Sequence, residues 1–442
     1  MNMRSLCLVA FALAAMALGG CKHQAQFIDP FADDVEWKTE GWGLRKLDPK
    51  DYPDMRSAWA DRAGLERAID KSLQYLKAPS SNRFYPSGKP GDTITHDQIE
   101  ATLLDIKKML ASGIGPDEFQ QQLLARYDVY TSIGYNNKGD VWFTGYYTPI
   151  YQGSMTPTGD FKYPVYTRPS DLVSDPITGE VKGQQMPDGS LHPYPTRSEL
   201  EASGKLKGLE LCYFRDPMEP YIIQVQGSAK VILPNGQEMM IGYAGKNGRD
   251  YRGLGSELVK EGKIDKRHLS LPAVLEYFKE HPEEHAEYVK RNDSFAFLKI
   301  YSAAEWPSGS LGVQVTPQRS LATDKTIFPR ASLTFIDVPK PTADGGSVPY
   351  KGFVLDQDTG GAIKAPGRAD IYMGIGPDAG QLAGRQFAQG RLFYLFLKPE
   401  LTTMSHPSLK PIMAPKGGMP TNSPVPPTKG SDEMFPGSVK PK

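Results

Sequence analysis

Between Leu355 and Gly374 the chain sets Asp356, Asp358, Asp370, Lys364 and Arg368 among glycines inside an otherwise apolar stretch. Aspartate resists full burial unless paired, and glycine suits tight turns and close backbone approach, so the segment fits the wall of a cleft better than a core. Carboxyl groups in such a place can move protons or hold a cation. An exposed aspartate, with a pKa of about 3.9, is too acidic to donate a proton near neutrality unless desolvation or a second carboxylate holds the proton on. For cation binding, Asp356 and Asp358 stand two apart, on one face of a strand, where their oxygens could take a divalent metal. Such a pair is more often one working residue beside a solvated one. Asp358 is the expected working member, with Asp356 outside the site and no metal bound.

The elements that must position these groups fall into zones. From Leu65 to Tyr127 the pattern is helical: Leu65, Ile69, Leu73 and Leu76 share one face, and Ile99, Leu103, Ile106 and Leu110 share another. Thr95 and Gln98 predict a capping box for the second helix, and Gly113 its stop. Between Val141 and Tyr251 short runs, among them Tyr221 to Gln226 and Ala229 to Leu233, are split by turn signals such as Pro234-Asn235-Gly236, which predicts a hairpin-rich β unit. Another helical stretch covers Leu271 to Val289. Strands return from Asn292 to Leu397, including Ser332 to Ile336 and Arg391 to Leu397. From His406 to Lys442 the chain is rich in proline and poor in large apolar residues, which predicts a disordered or extended tail.

Arg4 precedes an apolar stretch, Leu6 to Leu18, that is too short for a mature membrane span and ends at Leu18-Gly19-Gly20-Cys21. This resembles a bacterial lipoprotein signal, in which the chain is cut before Cys21 and that cysteine is lipidated; an ordinary secretory signal is the alternative. Lys22, rather than an aspartate, follows, and resemblance to sorted lipoproteins then implies the periplasmic side of the outer membrane. Cys212 is left without an intramolecular disulfide partner, and its neighbours Leu211, Tyr213 and Phe214 mark it as a small apolar filler. Lysine plus arginine equal aspartate plus glutamate at 51 each, so no basic excess supports nucleic-acid binding. With 44 glycines and 38 prolines the body should be β-rich, and its partner a polysaccharide or small molecule rather than a polyanion.

Six ordered motifs carry a family resemblance: Phe143-Thr144-Gly145-Tyr146-Tyr147-Thr148-Pro149, Tyr194-Pro195-Thr196-Arg197, Gln224-Val225-Gln226-Gly227-Ser228, Gly242 to Gly248, Gln318 to Asp324, and Asp358 to Asp370. In these the chain resembles the membrane-bound lytic murein transglycosylase A family, from the lipobox to about Pro399. The resemblance implies a mainly β protein with accessory helices, in which a double-psi β-barrel domain is interrupted by a second small β-barrel domain, with a groove between them. The implied divisions are a signal at 1–20, a first catalytic part at 21–150, an inserted domain at 151–291, a second catalytic part at 292–405 and a tail at 406–442.

The same resemblance implies the chemistry. A lytic transglycosylase cuts the β-1,4 bond between N-acetylmuramic acid and N-acetylglucosamine with one acid. The muramic C6 hydroxyl, an internal nucleophile, closes onto C1 to leave a 1,6-anhydro end. The family's three-aspartate carboxylates fall on Asp324, Asp358 and Asp370, and its acid falls on Asp370. Arg368 would share a strand face with Asp370 and favour the ionised form, so either Arg368 turns to another partner or the strand is irregular. Expected substrate contacts are Thr144, Tyr146, Tyr147, Gln226, Ser228 and Lys364, with one of the two tyrosines packed in the core and Gln224, Gln226 and Ser228 sharing a strand face. The implied partners are peptidoglycan glycan strands and outer-membrane lipid through Cys21. No cofactor and no nucleic acid is expected; the protein should be a monomer that can join cell-wall enzyme complexes.

Ala365 stands where the family pattern leads one to expect glycine. His281-Pro282-Glu283-Glu284-His285 has the spacing of an inverted zinc-protease helix, but Pro282 fits a first helical position and would leave His281 outside the turn that carries His285. Gly374-Ile375-Gly376 lacks the context of a dinucleotide loop. Two other functions stay open on the residues alone: a two-carboxylate glycan hydrolase using Asp370 with Asp358, and a peptidoglycan-binding lipoprotein that does not cut.

Overall fold

The structure, a computed structural model, describes residues 41–176 and 178–405; the expected signal with Cys21, and the proline-rich stretch from His406, lie outside the described residues. Helix α1 (Leu65–Leu76) buries Leu65, Ile69, Leu73 and Leu76, and α2 (His96–Ser112) buries Ile99, Leu103 and Ile106, the faces that the apolar spacing predicts. Thr95 caps α2 by accepting from the Gln98 N–H at 3.1 Å, and Gly113 ends it at φ 70°. The reciprocal half of the capping box is replaced: the Gln98 amide turns inward and donates to the Leu397 carbonyl at 2.9 Å. That bond ties the helical scaffold to the last strand of the sheet.

Six strands close a barrel: β1 (Asp140–Thr148), β2 (Ser320–Ala322), β3 (Leu333–Pro341), β4 (Ser347–Asp358), β5 (Arg368–Ile375) and β6 (Phe387–Leu397). The order round the barrel is β6, β3, β4, β2, β5, β1 and back to β6. Pairs β2–β4 and β5–β1 are parallel and the other four antiparallel. Residues Leu392 to Leu397 of β6 are all buried, because one face of the strand fills the barrel while the other lies under α2.

Between β1 and β2 the chain builds a second unit. Its four-stranded sheet runs in the order Ala296–Tyr301, Glu238–Lys246, Ser228–Ile232, Ile150–Gln152, and smaller sheets of two and three strands flank it. It has its own core of Val165, Phe214, Val231, Ile241 and Leu298, separate from the barrel core. The hairpin expected at Pro234-Asn235-Gly236 is present, with Ser228–Ile232 antiparallel to Glu238–Lys246. Ala296–Tyr301 pairs back onto Glu238–Lys246, so strand pairing in this unit continues to Tyr301.

One expected strand is a helix. Tyr221 to Gln226 lies in α3 (Met218–Gln226), whose start is held by the Asp216 carboxylate accepting from the Met218 N–H at 2.8 Å and whose end is Gly227 at φ 79°. Ile223 enters one apolar cluster while Met218, Tyr221 and Ile222 enter another. A helix buried on two sides shows no clean 3.6-residue stripe, and its β-branched residues then mimic a strand. The helical stretch from Leu271 divides into α4 (Leu271–Glu280) and α5 (His285–Lys290). His281 is the C-cap of α4 rather than a cap before Pro282. The last helix that bears on the site, α6 (Pro377–Arg385), packs on β1, where a Cβ at Gly145 would lie 2.9 Å from the Ala383 Cα.

Candidate active site

Three adjacent barrel strands present one face away from the core. On β1, Val141 and Phe143 are fully buried while Trp142, Thr144 and Tyr146 alternate with them, as the two-residue period of a strand requires. Parallel register places Trp142 beside Arg368, Thr144 beside Asp370 and Tyr146 beside Tyr372 on β5. Antiparallel register places Phe387 of β6 on the other side of Thr144. Asp370 therefore sits in the middle of a polar and aromatic face assembled from residues far apart in the chain.

Asp370 is half-buried by surface area, yet its Oδ1 is sequestered and has no hydrogen-bond partner among the described residues. Burial raises its pKa to about 6. Arg368 and the Thr144 hydroxyl oppose that shift, and Asp358 adds to it. Thr144 Oγ1 also lacks a partner of hydrogen-bonding geometry, so its influence is one of proximity. Arg368 shares the face with Asp370, as strand alternation predicts, and its guanidinium Nη1 donates to the Ala362 carbonyl at 3.0 Å. Its charge still favours ionised Asp370, while its own burial disfavours the guanidinium.

Asp358 ends β4 and is held on both oxygens. Oδ1 accepts from the backbone N–H groups of Ser310 (2.7 Å) and Thr359 (2.8 Å), and Oδ2 accepts from the Tyr146 hydroxyl at 2.8 Å. Gly309 lets the Ser310 loop come this close, since a Cβ there would lie 3.1 Å from the Asp358 Cγ. Burial raises the Asp358 pKa against these donors. Burial and the Asp358 charge also push the Tyr146 phenol well above its ordinary value, so it stays a proton donor to Asp358.

Asp324 does different work. Its Oδ1 accepts from the Thr326 N–H (3.0 Å) and hydroxyl (2.6 Å), and its Oδ2 from the Ala365 N–H (2.9 Å). The carboxylate thus pins the loop that leads into β5. Ala365 has φ 72°, a left-handed conformation that costs an L-residue about 1–2 kcal/mol. Ala365→Gly should relieve that strain and, after the added chain entropy of glycine, raise stability by about 0.5–1 kcal/mol in urea unfolding. A loss of stability would show that the alanine methyl, buried at this position, matters more than the backbone strain.

The i, i+2 reading of Asp356 and Asp358 is corrected by a bulge. Leu321 of β2 faces Asp356 and Ala322 faces Asp358, so Gln357 is an extra residue on β4 and the two carboxylates have no shared partner. Asp356 is fully buried, ion-paired with Lys325 and accepting from Thr323 and, at 2.7 Å, from Tyr394. Far from being a solvated neighbour, it is the most enclosed acid of the segment. Lys325 and Tyr394 gave no local signal in the sequence, because their meeting with Asp356 depends on barrel closure.

The expected substrate contacts divide. Thr144 and Tyr146 lie on the face with Asp370, and the Tyr146 ring packs against Tyr372 at 5.1 Å. Tyr147 is the core member of its pair, buried under α6 at Gly380. Gln224, Gln226 and Ser228 do not share a strand face, because α3 carries the two glutamines. Gln224 accepts from buried Arg197 at 2.6 Å, and Gln226 Oε1 accepts from the Tyr147 N–H at 3.0 Å. Ser228 is buried and bonds Thr148 at 3.2 Å, which makes it a link between β1 and the second unit rather than a surface group. Lys364 is exposed and stands 3.8 Å from Asp250 of the second unit.

The remaining candidates are structural. Cys212 is buried and its thiol is pushed up to about 12 by desolvation, in keeping with a filler. His281, Glu283 and Glu284 come near one another, but Glu284 is occupied by Lys263 and Tyr277, and the His281 ring packs on Tyr277. Cavities of about 480 and 470 Å³ lie elsewhere, one between α1 and α2 and one beside Arg168, Tyr243 and Lys299. No described helix is long and apolar enough to cross a membrane.

A family model described as the MltA specific insert domain matches residues 142–299, and one described as the 3D domain matches 319–396, which takes in all three aspartates. The chain is 33% identical over 277 residues to the membrane-bound lytic murein transglycosylase A of Escherichia coli (strain K12), covering 62% of this chain and 70% of that protein. To the protein of the same name from Vibrio cholerae it is 33% identical over 269 residues, 60% and 68% of the two chains. Among solved structures, the membrane-bound lytic murein transglycosylase from Agrobacterium tumefaciens superposes with a TM-score of 0.66 at 25% identity, over 81% of this chain and 99% of that one. E. coli MltA with bound chitohexaose gives a TM-score of 0.61 at 27% identity, over 82% and 98%. An interrupted barrel with its aspartates gathered on β4, β5 and the loop after β2, together with these matches along both parts, means that the chain belongs to the membrane-bound lytic murein transglycosylase A family.

Proposed function

We propose that this protein is a peptidoglycan lytic transglycosylase in which Asp370 alone serves as acid and then base. The supporting observation is the contrast between the carboxylates: Asp370 has an unpartnered, sequestered oxygen and a pKa near 6, whereas Asp358 and Asp324 are engaged on both oxygens. In the first half-reaction Asp370 gives its proton to the glycosidic oxygen as the C1–O bond of N-acetylmuramic acid breaks. In the second, the Asp370 carboxylate takes the proton of the C6 hydroxyl as that oxygen bonds to C1, which restores the acid and leaves a 1,6-anhydromuramoyl end. Burial and Asp358 keep the proton on for the first step; Arg368 and Thr144 limit the cost of the charge in the second.

Asp358 is a positioning group in this reading, aimed by Ser310, Thr359 and Tyr146, and is poorly free to act as a nucleophile. That weighs against a two-carboxylate hydrolase. Asp324 positions the loop before β5. Thr144, Tyr146 and Lys364 are the proposed glycan contacts from the expected set, with Gln226 supporting the backbone of Tyr147. The proposed divisions are a first barrel part, an inserted unit and a second barrel part, and the proposed anchor is lipid on Cys21 at the periplasmic side of the outer membrane.

Mass spectrometry of fragments released from purified peptidoglycan tests the reaction. Anhydro ends support it, reducing ends with water incorporated indicate hydrolysis, and no release indicates a binding protein. The pH profile tests the acid. Because Asp370 must start protonated and its pKa lies near 6, kcat/KM should be level below that pH and fall about tenfold per unit above it. A rate that climbs between pH 6 and 8 would contradict an aspartic acid donor.

A further inference from the structure

The face that carries Asp370 continues into aromatic residues that none of the expected contacts includes. Trp142 stacks with Phe387 at a centroid distance of 4.7 Å and an interplanar angle of 13°, and with Tyr135 at 6.3 Å and 21°. Asp370, Thr144 and Phe387 form one row across β5, β1 and β6, and Arg368, Trp142 and Gln389 form the row beside it. Two strand spacings put Phe387 roughly 10 Å from Asp370. Phe387 is 39% exposed and Gln389 beside it is exposed, so an apolar ring is edged by an amide on an open surface.

We propose that the Trp142–Phe387 stack is a sugar-binding platform, on which one N-acetylhexosamine ring of the glycan lies while a neighbouring bond is presented to Asp370. The inference rests on the glycan-cleaving reading above and adds a subsite to it. Continuity with the acid's own sheet face identifies the occupant. A pyranose offers a C–H face that packs on an aromatic ring, and its hydroxyl or acetamido edge can meet the Gln389 amide. Stacking on both neighbours fixes the indole before ligand arrives, so little ordering cost remains on binding.

Titration calorimetry with chitohexaose on the Asp370→Asn protein, expected to hold ligand without cutting it, provides the test. Adding Phe387→Ala should weaken binding about tenfold, whereas Phe387→Trp should stay within about twofold. With Phe387 39% exposed and stacked on Trp142, Phe387→Ala should lower the thermal midpoint by only about 2–4 °C, so the fold persists at the assay temperature and weakened binding reports lost contact rather than lost structure. A Kd unchanged by Phe387→Ala would overturn the platform while leaving the acid assignment intact. Absence of binding by the Asp370→Asn parent, with no anhydro product from the wild type, would overturn both.

Discussion

Asp370→Asn is expected to lose about 10²- to 10⁴-fold in release of anhydro ends and, above pH 6, to be more stable than the wild type. The loss follows from removal of the only proposed proton carrier. The stability gain follows from linkage. The folded-state pKa near 6 exceeds the ordinary 3.8, so between those values the folded protein binds more protons than the unfolded chain. Wild-type stability therefore falls as pH rises from about 4 to 6, and above that ionised Asp370 costs about 3 kcal/mol relative to a neutral group. Asparagine has the same shape and never ionises. Thermal or urea unfolding at pH 4 and pH 8 should show the two proteins alike at the lower pH and the variant ahead at the higher. Equal stability at both would mean that solvent, not protein, surrounds the carboxyl.

Lys325→Met should cost about 3–5 kcal/mol, because it strands the charge of fully buried Asp356. Thr323 and Tyr394 would still donate to Asp356, which keeps the loss from growing further. Lys325→Met combined with Asp356→Asn should recover much of that loss, since a neutral amide oxygen can still accept from the two hydroxyls. Urea unfolding of both single variants and the double variant closes the cycle. Additive losses would show that the two side chains do not sense each other.

The scaffold helices were readable because each buries one face. The spacing of Leu65, Ile69, Leu73 and Leu76 records that directly, as do Thr95 and Gly113 at the ends of α2. The hairpin at Pro234-Asn235-Gly236 was readable for a similarly local reason. Helix α3 was not, because its apolar residues serve two clusters and leave no stripe. That error carried Gln224, Gln226 and Ser228 onto a shared strand face that does not exist. Strand alternation succeeded on β1, where Thr144 and Tyr146 face one way and Tyr147 the other. It failed at Asp356 and Asp358, where the bulge at Gln357 shifts the count by one.

Residue order alone was enough to mark the acidic, glycine-rich block as a polar site and to tie it to a glycan-cutting family, since motif chemistry is written in neighbouring residues. The proposal that Asp370 is the carboxyl that keeps its proton rests on closure of the barrel. The desolvation around Asp370, the donors fixed on Asp358 and the ion pair that absorbs Asp356 all come from side chains brought together across strands. A proton's affinity depends on neighbours in space, and no local pattern along the chain encodes them.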